Sequence, residues 1–381
     1  MRIVQVGPYP LDASIIRGGV ESSVYGLAQE QAKTDDVFVI DVPRIGSEDS
    51  VEVIDSLTIY RFRNEGRHHK DAVKRLNDVC TIIRQIKPDI VHIHGTSVFS
   101  WRVSQVLLSN GLSLVLTVHG LIGVEKKKAV KEKKTFRALF QYLIQARAER
   151  KILCYVDNVI VDTKYVSEMI DSYHLRKQPR LFVIPQGISS HYYELSCSNS
   201  SSEVLSVGVI SPRKGHLLLI KAFERLSEKD DSAHLTICGT LADKSYYNSI
   251  LSYLSTSPCR EKVSIVTNAP QSVLNELYRR ARVFALHSQE ESQGIALVEA
   301  MATGLPVIGT RVGGIPNVVE NQQSGILLEY GDIQGFADAM GLLLDSEDEW
   351  ARMSKNCIAV SFGFSWKSIA GRIKEVYNQA I

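Results

Sequence analysis

Val204-Leu-Ser-Val-Gly-Val-Ile210-Ser-Pro-Arg213-Lys214-Gly215-His-Leu-Leu-Leu-Ile-Lys-Ala-Phe-Glu-Arg-Leu226 passes from a short β-branched run, through a proline and glycine turn, into a helical pattern. A run of that length bounded by turn residues reads as a buried strand, and the following segment repeats its apolar residues at helical spacing. The unit recurs downstream. Strands are expected at His234–Cys238, Lys262–Val266, Val283–Leu286, Pro306–Gly309 and Gly325–Leu328, alternating with helices at Tyr246–Leu254, Gln271–Ala281, Ile295–Ala302 and Phe336–Leu344. Upstream the same alternation gives strands at Arg2–Val6, Val37–Asp41, Leu57–Arg61, Ile90–Ile93, Ser113–Val118, Asn158–Val161 and Leu181–Ile184. Helices are expected there at Val20–Lys33, Ala72–Ile86 and through much of Lys126–Ile152. Strands that alternate with crossover helices build parallel sheets with helices on both faces. The fold class is therefore α/β, with two doubly wound, Rossmann-like domains.

The first domain is expected over 1–190 and the second over 203–360, with the serine-rich stretch Ser196–Ser202 as a surface loop or linker. Residues 361–381 carry a terminal amphipathic helix, Trp366–Ala380, expected to return to the first domain. A chain of 381 residues is longer than one hydrophobic core usually supports, which agrees with two domains. Open parallel sheets bind ligands beyond the carboxyl ends of their strands, so the strand-to-helix loops should carry the chemistry. Hydrophobic residues at 44%, charged residues at 23% and a net charge of +2 single out no partner, and no apolar run reaches bilayer-spanning length. The six cysteines lie far apart, without the spacing of a zinc site or a disulfide framework, which suits a reducing cytoplasm. The first residues read directly as a strand, so secretion is not expected.

Three loops stand out. The first strand leads into Gly7-Pro-Tyr-Pro and then Gly18-Gly19, where a helix begins. Backbone N–H groups at such a start, aided by the helix dipole, suit a phosphate; a tight turn is the alternative. Arg213 and Lys214 precede Gly215 and a helix, a placement that suits a diphosphate, with a solvated surface pair as the alternative. In Glu290-Glu291-Ser-Gln-Gly294-Ile295-Ala-Leu-Val-Glu299, Gly294 turns the chain into a helix that carries Glu299, while Glu291 stays in the loop. Carboxylates so placed can accept paired hydrogen bonds from sugar hydroxyls, although acids at a helix entry are also common without a ligand. His92 and His94 share a strand face, but no acidic or thiol partner completes a metal site, and none is expected. The run of Lys126, Lys127, Lys128, Lys131, Lys133 and Lys134 enters an apolar segment at Phe140, as an interfacial helix on an anionic membrane would; a solvated helix face is the other reading. It lacks the regular aromatics that would stack nucleic-acid bases.

Glu291-x7-Glu299 followed by Ala-Met-Ala-Thr-Gly-Leu-Pro-Val-Ile and then Gly313-Gly314-Ile-Pro-Asn-Val-Val-Glu320 resembles the retaining glycosyltransferases of family 4, also called group 1, which have the GT-B fold of two facing Rossmann-like domains. Gly18-Gly19-Val20-Glu21, Thr117-Val-His119-Gly120, Val183-Ile-Pro-Gln-Gly187 and Pro212-Arg-Lys214-Gly215 follow the family's order. The resemblance implies a nucleotide-diphosphate sugar as donor, a carbohydrate or lipid-linked hydroxyl as acceptor, no cofactor and no catalytic metal. It implies that Glu291 contacts donor-sugar hydroxyls, Glu299 the ribose and Lys214 the diphosphate. Gly294 and Ile295 would offer backbone N–H groups, Gly18 and Gly19 would close over the phosphates, and His119 would reach the transferring sugar. A place in cell-surface polysaccharide or glycolipid synthesis, in the cytoplasm or at the inner membrane face, would fit the basic run. Four positions depart from the pattern. Val209 stands where an arginine is common, with Arg213 nearby as a substitute charge; Gln186 replaces an asparagine, His287 a proline and Gln293 an aromatic. A non-catalytic sugar-nucleotide-binding subunit and a nonhydrolysing sugar-nucleotide epimerase are the rival readings.

Overall fold

A computed structural model describes residues 1–12, 18–45, 49–64, 74–121, 136–198 and 200–381. It divides into two units, Met1–Gly187 with Trp366–Ile381, and Ile188–Ser365. The lysine-rich run from Lys126 to Lys134 lies outside the described residues.

In the first unit the strands are β1 (Arg2–Gly7), β2 (Asp36–Ile45), β3 (Ser50–Ile54), β4 (Leu57–Asn64), β5 (Ile90–His94), β6 (Leu114–Val118), β7 (Asn158–Val161) and β8 (Arg180–Val183). They form one sheet in the order β3-β4-β2-β1-β5-β6-β7-β8, parallel apart from the antiparallel β3–β4 pair. Alternate residues feed two cores, as the period of a strand requires. Val4, Val6, Val91 and Ile93 pack with Ile83, Val103 and Ile152 on one face, while Ile3, Val39, Val115 and Ile160 pack with Val24 and Leu27 on the other. Strand β3 is absent from the sequence-based expectation. It sits at the sheet edge with Val51 and Val53 exposed, so no inward apolar set marks it.

The second core also takes in the terminal helix Trp366–Ala380 through Trp366, Ile369, Ile373 and Tyr377. Trp366 is wedged where two glycines leave room. A Cβ on Gly26 would lie 2.0 Å from the indole Nε1, and one on Gly187 would lie 2.6 Å from the ring. Lys374 adds an ion pair to the buried Asp35 at 2.7 Å.

In the second unit β9 (Glu203–Val207), β10 (His234–Gly239), β11 (Val263–Thr267), β12 (Val283–Leu286), β13 (Val307–Thr310) and β14 (Gly325–Leu328) form a parallel sheet in the order β11-β10-β9-β12-β13-β14. Both faces are again covered: Leu205, Phe284 and Val307 pack with Leu297 and Met301, and Val204, Val283 and Ile308 with Phe223 and Phe336. Strand β9 stops at Val207 rather than Ile210; beyond it the Gly208 and Ile210 N–H groups still donate to the Cys238 and Thr240 carbonyls at 2.9 Å, and Ile210 forms an isolated bridge with Leu241. The stretch expected as a linker is tied to this unit. Leu195 is buried in its core and the Cys197 N–H donates to the Thr303 carbonyl at 3.1 Å, a backbone tie that a serine-rich composition does not reveal.

Candidate functional site

Each sheet has one point at which the strand order reverses, and there the loops leave in opposite directions and open a crevice. In the second unit that point lies between β9 and β12. Lys214 follows β9, Glu291 follows β12, and the two side chains form an ion pair. Their loops interlock. The Gln289 N–H donates to the Arg213 carbonyl at 2.8 Å, and a Cβ on Gly215 would lie 1.9 Å from the His287 carbonyl oxygen. Gly215 therefore has to be glycine, as its φ of 63° also favours.

Glu291 is 5% exposed. Its backbone is clamped by β13's exit loop: the Gly314 N–H donates to its carbonyl at 2.9 Å, and a Cβ on Gly313 would lie 2.0 Å from that oxygen. Ser288 Oγ donates to Oε1 at 2.9 Å. Burial pushes the carboxyl pKa up, but the Lys214 charge and hydrogen bond, helped by Arg213 and Ser288, outweigh it and hold the pKa below the usual carboxylate range. Lys214 and Glu291, expected on separate parts of a ligand, are thus brought to each other.

Glu299 lies on the helix Ile295–Ala302, which Gly294 opens at φ 83° and whose first residue, Ile295, packs on the core. Tyr278 Oη donates to Oε2 of the Glu299 carboxylate at 3.2 Å and Tyr192 bonds it as well. Burial pushes the Glu299 pKa up to about 7 despite these two donors. Ser288, Tyr192 and Tyr278 were not singled out in the sequence. Ser288 precedes Glu291 by three residues, a spacing that could have flagged it.

In the first unit the order reverses between β1 and β5. Gly18 caps the helix Gly19–Gln31, and Gln186 donates to the Gly19 carbonyl at 2.8 Å, so this departure from the family pattern fastens the glycine loop. His119 follows β6 and is half-buried; its Nε2 contacts His94 Nδ1 at 3.1 Å, and its Nδ1 lies 3.8 Å from Asp162 Oδ2. His92 and His94 have their ring nitrogens taken by Tyr377, Thr117, His119 and Gln5.

Residues 197–359 match the family described as Glycosyl transferases group 1, and residues 17–191 match Glycosyltransferase Family 4. The chain is built from two glycosyltransferase-family domains. The group 1 domain contains Lys214, Glu291 and Glu299, and the Family 4 domain contains Gly18, Gly19 and His119. Among curated proteins, D-inositol 3-phosphate glycosyltransferase of Corynebacterium glutamicum is 32% identical over 191 residues, 49% of this chain and 46% of that protein. The chain thus spans about half the length of such relatives in these matches. Sucrose-phosphate synthase of Thermosynechococcus elongatus shares the fold with a TM-score of 0.80 and 20% identity, covering 100% of this chain and 99% of that one. Anabaena HepE in complex with UDP and glucose gives 0.75 and 16%, covering 100% of both chains. The fold is accordingly that of the GT-B glycosyltransferases.

Proposed function

We propose that the protein transfers a glycosyl group from a nucleotide-diphosphate sugar to an acceptor hydroxyl, with retention of anomeric configuration and without a metal. The observation that carries this reading is the Lys214–Glu291 pair at the strand-order reversal of the group 1 domain. A buried ion pair is weak evidence for stability, since dehydrating two charges offsets their attraction. Here it keeps the Glu291 carboxylate ionised and sets the two groups ready for a ligand that offers an anion to one and hydroxyls to the other.

In the proposed reaction the bond from the anomeric carbon to the diphosphate breaks, and the acceptor oxygen bonds to that carbon on the same face. The acceptor's proton passes to the departing diphosphate. Lys214, Arg213 and the N–H groups opened by Gly294 and Ile295 stabilise the leaving charge; such preorganised donors avoid reorganisation at the moment of reaction. Glu291 is assigned to the donor-sugar hydroxyls and Glu299 to the ribose, and the family resemblance assigns Gly18 and Gly19 to the phosphates and His119 to the transferred sugar. UDP and glucose are the ligands named for HepE, and an inositol phosphate is named for the curated relatives, so both belong in the substrate panel.

We also propose a carbohydrate or lipid-linked acceptor at the inner face of the cytoplasmic membrane, in cell-surface polysaccharide or glycolipid synthesis. Among the described residues no helix is long and apolar enough to cross a membrane. The helix Phe136–Tyr155 does expose Leu139, Phe140, Leu143 and Ile144, whose spacing gives one face, directly after the lysine run. Exposed apolar residues beside dense positive charge suit an anionic lipid surface.

A donor-binding subunit without transfer is the second reading, favoured by exposed Val209 where a cation would be expected. The test is thermal-shift screening against UDP-, GDP-, ADP- and TDP-sugars, followed by transfer assays with the stabilising donor over an acceptor panel. Glu291→Gln and Lys214→Ala should remain folded and lose transfer. Near-normal turnover in either variant would remove the assignment, and donor binding without transfer or slow hydrolysis would select the second reading.

A further inference from the structure

Behind His119 runs a buried chain of hydrogen bonds whose protons can be counted. Tyr377 Oη lies 3.1 Å from Gln5 Nε2, 3.2 Å from Gln31 Nε2 and 2.6 Å from His92 Nδ1, while Gln5 Nε2 also lies 2.7 Å from Gln31 Oε1. With both amide nitrogens donating, the hydroxyl oxygen has both lone pairs filled and must send its own proton to His92 Nδ1. Turning both amides over would leave two amide oxygens competing for that single proton. One arrangement therefore satisfies every contact. It leaves Gln5 Oε1 as an acceptor facing His94 Nε2 at 2.7 Å, so His94 carries its proton on Nε2. His94 Nδ1 is then a bare acceptor, and His119 Nε2, 3.1 Å away, must be the donor.

What remains to His119 is Nδ1, which is buried and has no hydrogen-bond partner among the described residues. Asp162 Oδ2 stands 3.8 Å from it, beyond hydrogen-bond reach. Burial lowers the His119 pKa to about 4 and raises that of Asp162 to about 8, which agrees with a neutral pair.

We infer that Tyr377 and Gln5, acting through His94, are positioning residues that hold His119 as its neutral Nε2–H tautomer with Nδ1 bare. The terminal helix thereby reaches the site: Tyr377 is on that helix, and Gln5, His94 and His119 come from β1, β5 and the end of β6. With Nε2 committed to His94 and Nδ1 buried, the ring brings no positive charge to its loop. The effect on turnover rests on the transfer reading above; the tautomer does not.

The experiment is long-range proton–nitrogen correlation at pH 7 on the full chain labelled with 15N-histidine, with His119 assigned by a His119→Asn variant. One neutral His119 form protonated at Nε2 is expected. Tyr377→Phe frees the amides to turn over, so a second His119 form should emerge, with kcat falling about threefold to tenfold, the factor one ordinary hydrogen bond governs, and donor Kd unchanged. Adding Gln5→Glu, a group whose carboxylate only accepts, should restore the single form and the turnover. A wild-type His119 protonated at Nδ1, or at both nitrogens, overturns the proposal, as does a Tyr377→Phe protein with unaltered His119 signals or unaltered kcat. If Tyr377→Phe does not fold, the wild-type spectrum decides alone. The expected spectrum without transfer from any donor would remove the proposed function instead.

Discussion

Replacing Lys214 with methionine removes the charge that faces Glu291 and keeps most of the side-chain volume. Glu291 is buried and Lys214 largely so, at 7% and 11% side-chain exposure, so solvent cannot take over the role of the lysine. Breaking a buried pair from one side costs about 3–5 kcal/mol at neutral pH. For a unit of this size each kcal/mol moves Tm by roughly 2–4 °C, so a drop of about 10 °C is expected. The pH dependence carries the sharper test. In the wild type the Glu291 pKa is depressed, so its contribution is present above the unfolded carboxyl pKa and is lost as pH falls through the lower folded value. In Lys214→Met burial acts against Ser288 and Arg213 alone, and the folded pKa moves above the unfolded one, which makes the charged carboxyl a penalty that disappears in acid. The stability gap between the two proteins should therefore be widest at pH 7 and narrow towards pH 4. Urea denaturation at both pH values measures it. Lys214→Met/Glu291→Leu should recover most of the loss, because two apolar groups leave no orphan charge. A gap below about 1 kcal/mol at pH 7, or one that does not change with pH, would refute the argument.

Gly26→Ala should destabilise the first unit by roughly 1–3 kcal/mol, since the new Cβ overlaps the Trp366 indole, even though alanine is the better helix former; limited proteolysis should release the terminal helix first, and unchanged stability would count against the wedge. If the Glu299 carboxylate holds ribose, its pKa of about 7 makes donor affinity about tenfold weaker at pH 6 than at pH 8, by the fraction ionised. Calorimetry should show that slope in the wild type and lose it in Glu299→Gln. Phe140→Ser, or Lys126/Lys127/Lys128→Ala, should reduce flotation with anionic liposomes and leave neutral liposomes indifferent; equal behaviour would remove the membrane proposal.

Strands buried on both faces announce themselves as short apolar runs, which is why β5, β7 and β12 could be located within a residue. Strand β3 could not, because its apolar residues face outward at an edge. At the site, Glu291, Glu299 and Lys214 were legible as loop and helix-start residues. Apart from Ser288, three residues before Glu291, their partners were not. Lys214 and Glu291 are 77 positions apart, and only the β9–β12 adjacency shows that they meet. Tyr278 belongs to the helix before β12, and nothing in its local spacing relates it to Glu299. Gln186 was legible only as a replacement for an asparagine; that its amide donates to the Gly19 carbonyl, 167 positions away, belongs to the fold.

The indole wedged between Gly26 and Gly187 also bears on the order in which the polypeptide can mature. A chain emerging from the ribosome exposes residues 1–187 first, yet their sheet lacks one of its covers until Trp366 and Tyr377 arrive. At roughly 5–20 residues per second, that delay is roughly ten to forty seconds. The second unit, contiguous in sequence, is free to close during that interval. The half made first is thus finished last, and in the meantime its apolar face is a surface on which a chaperone would be expected to act.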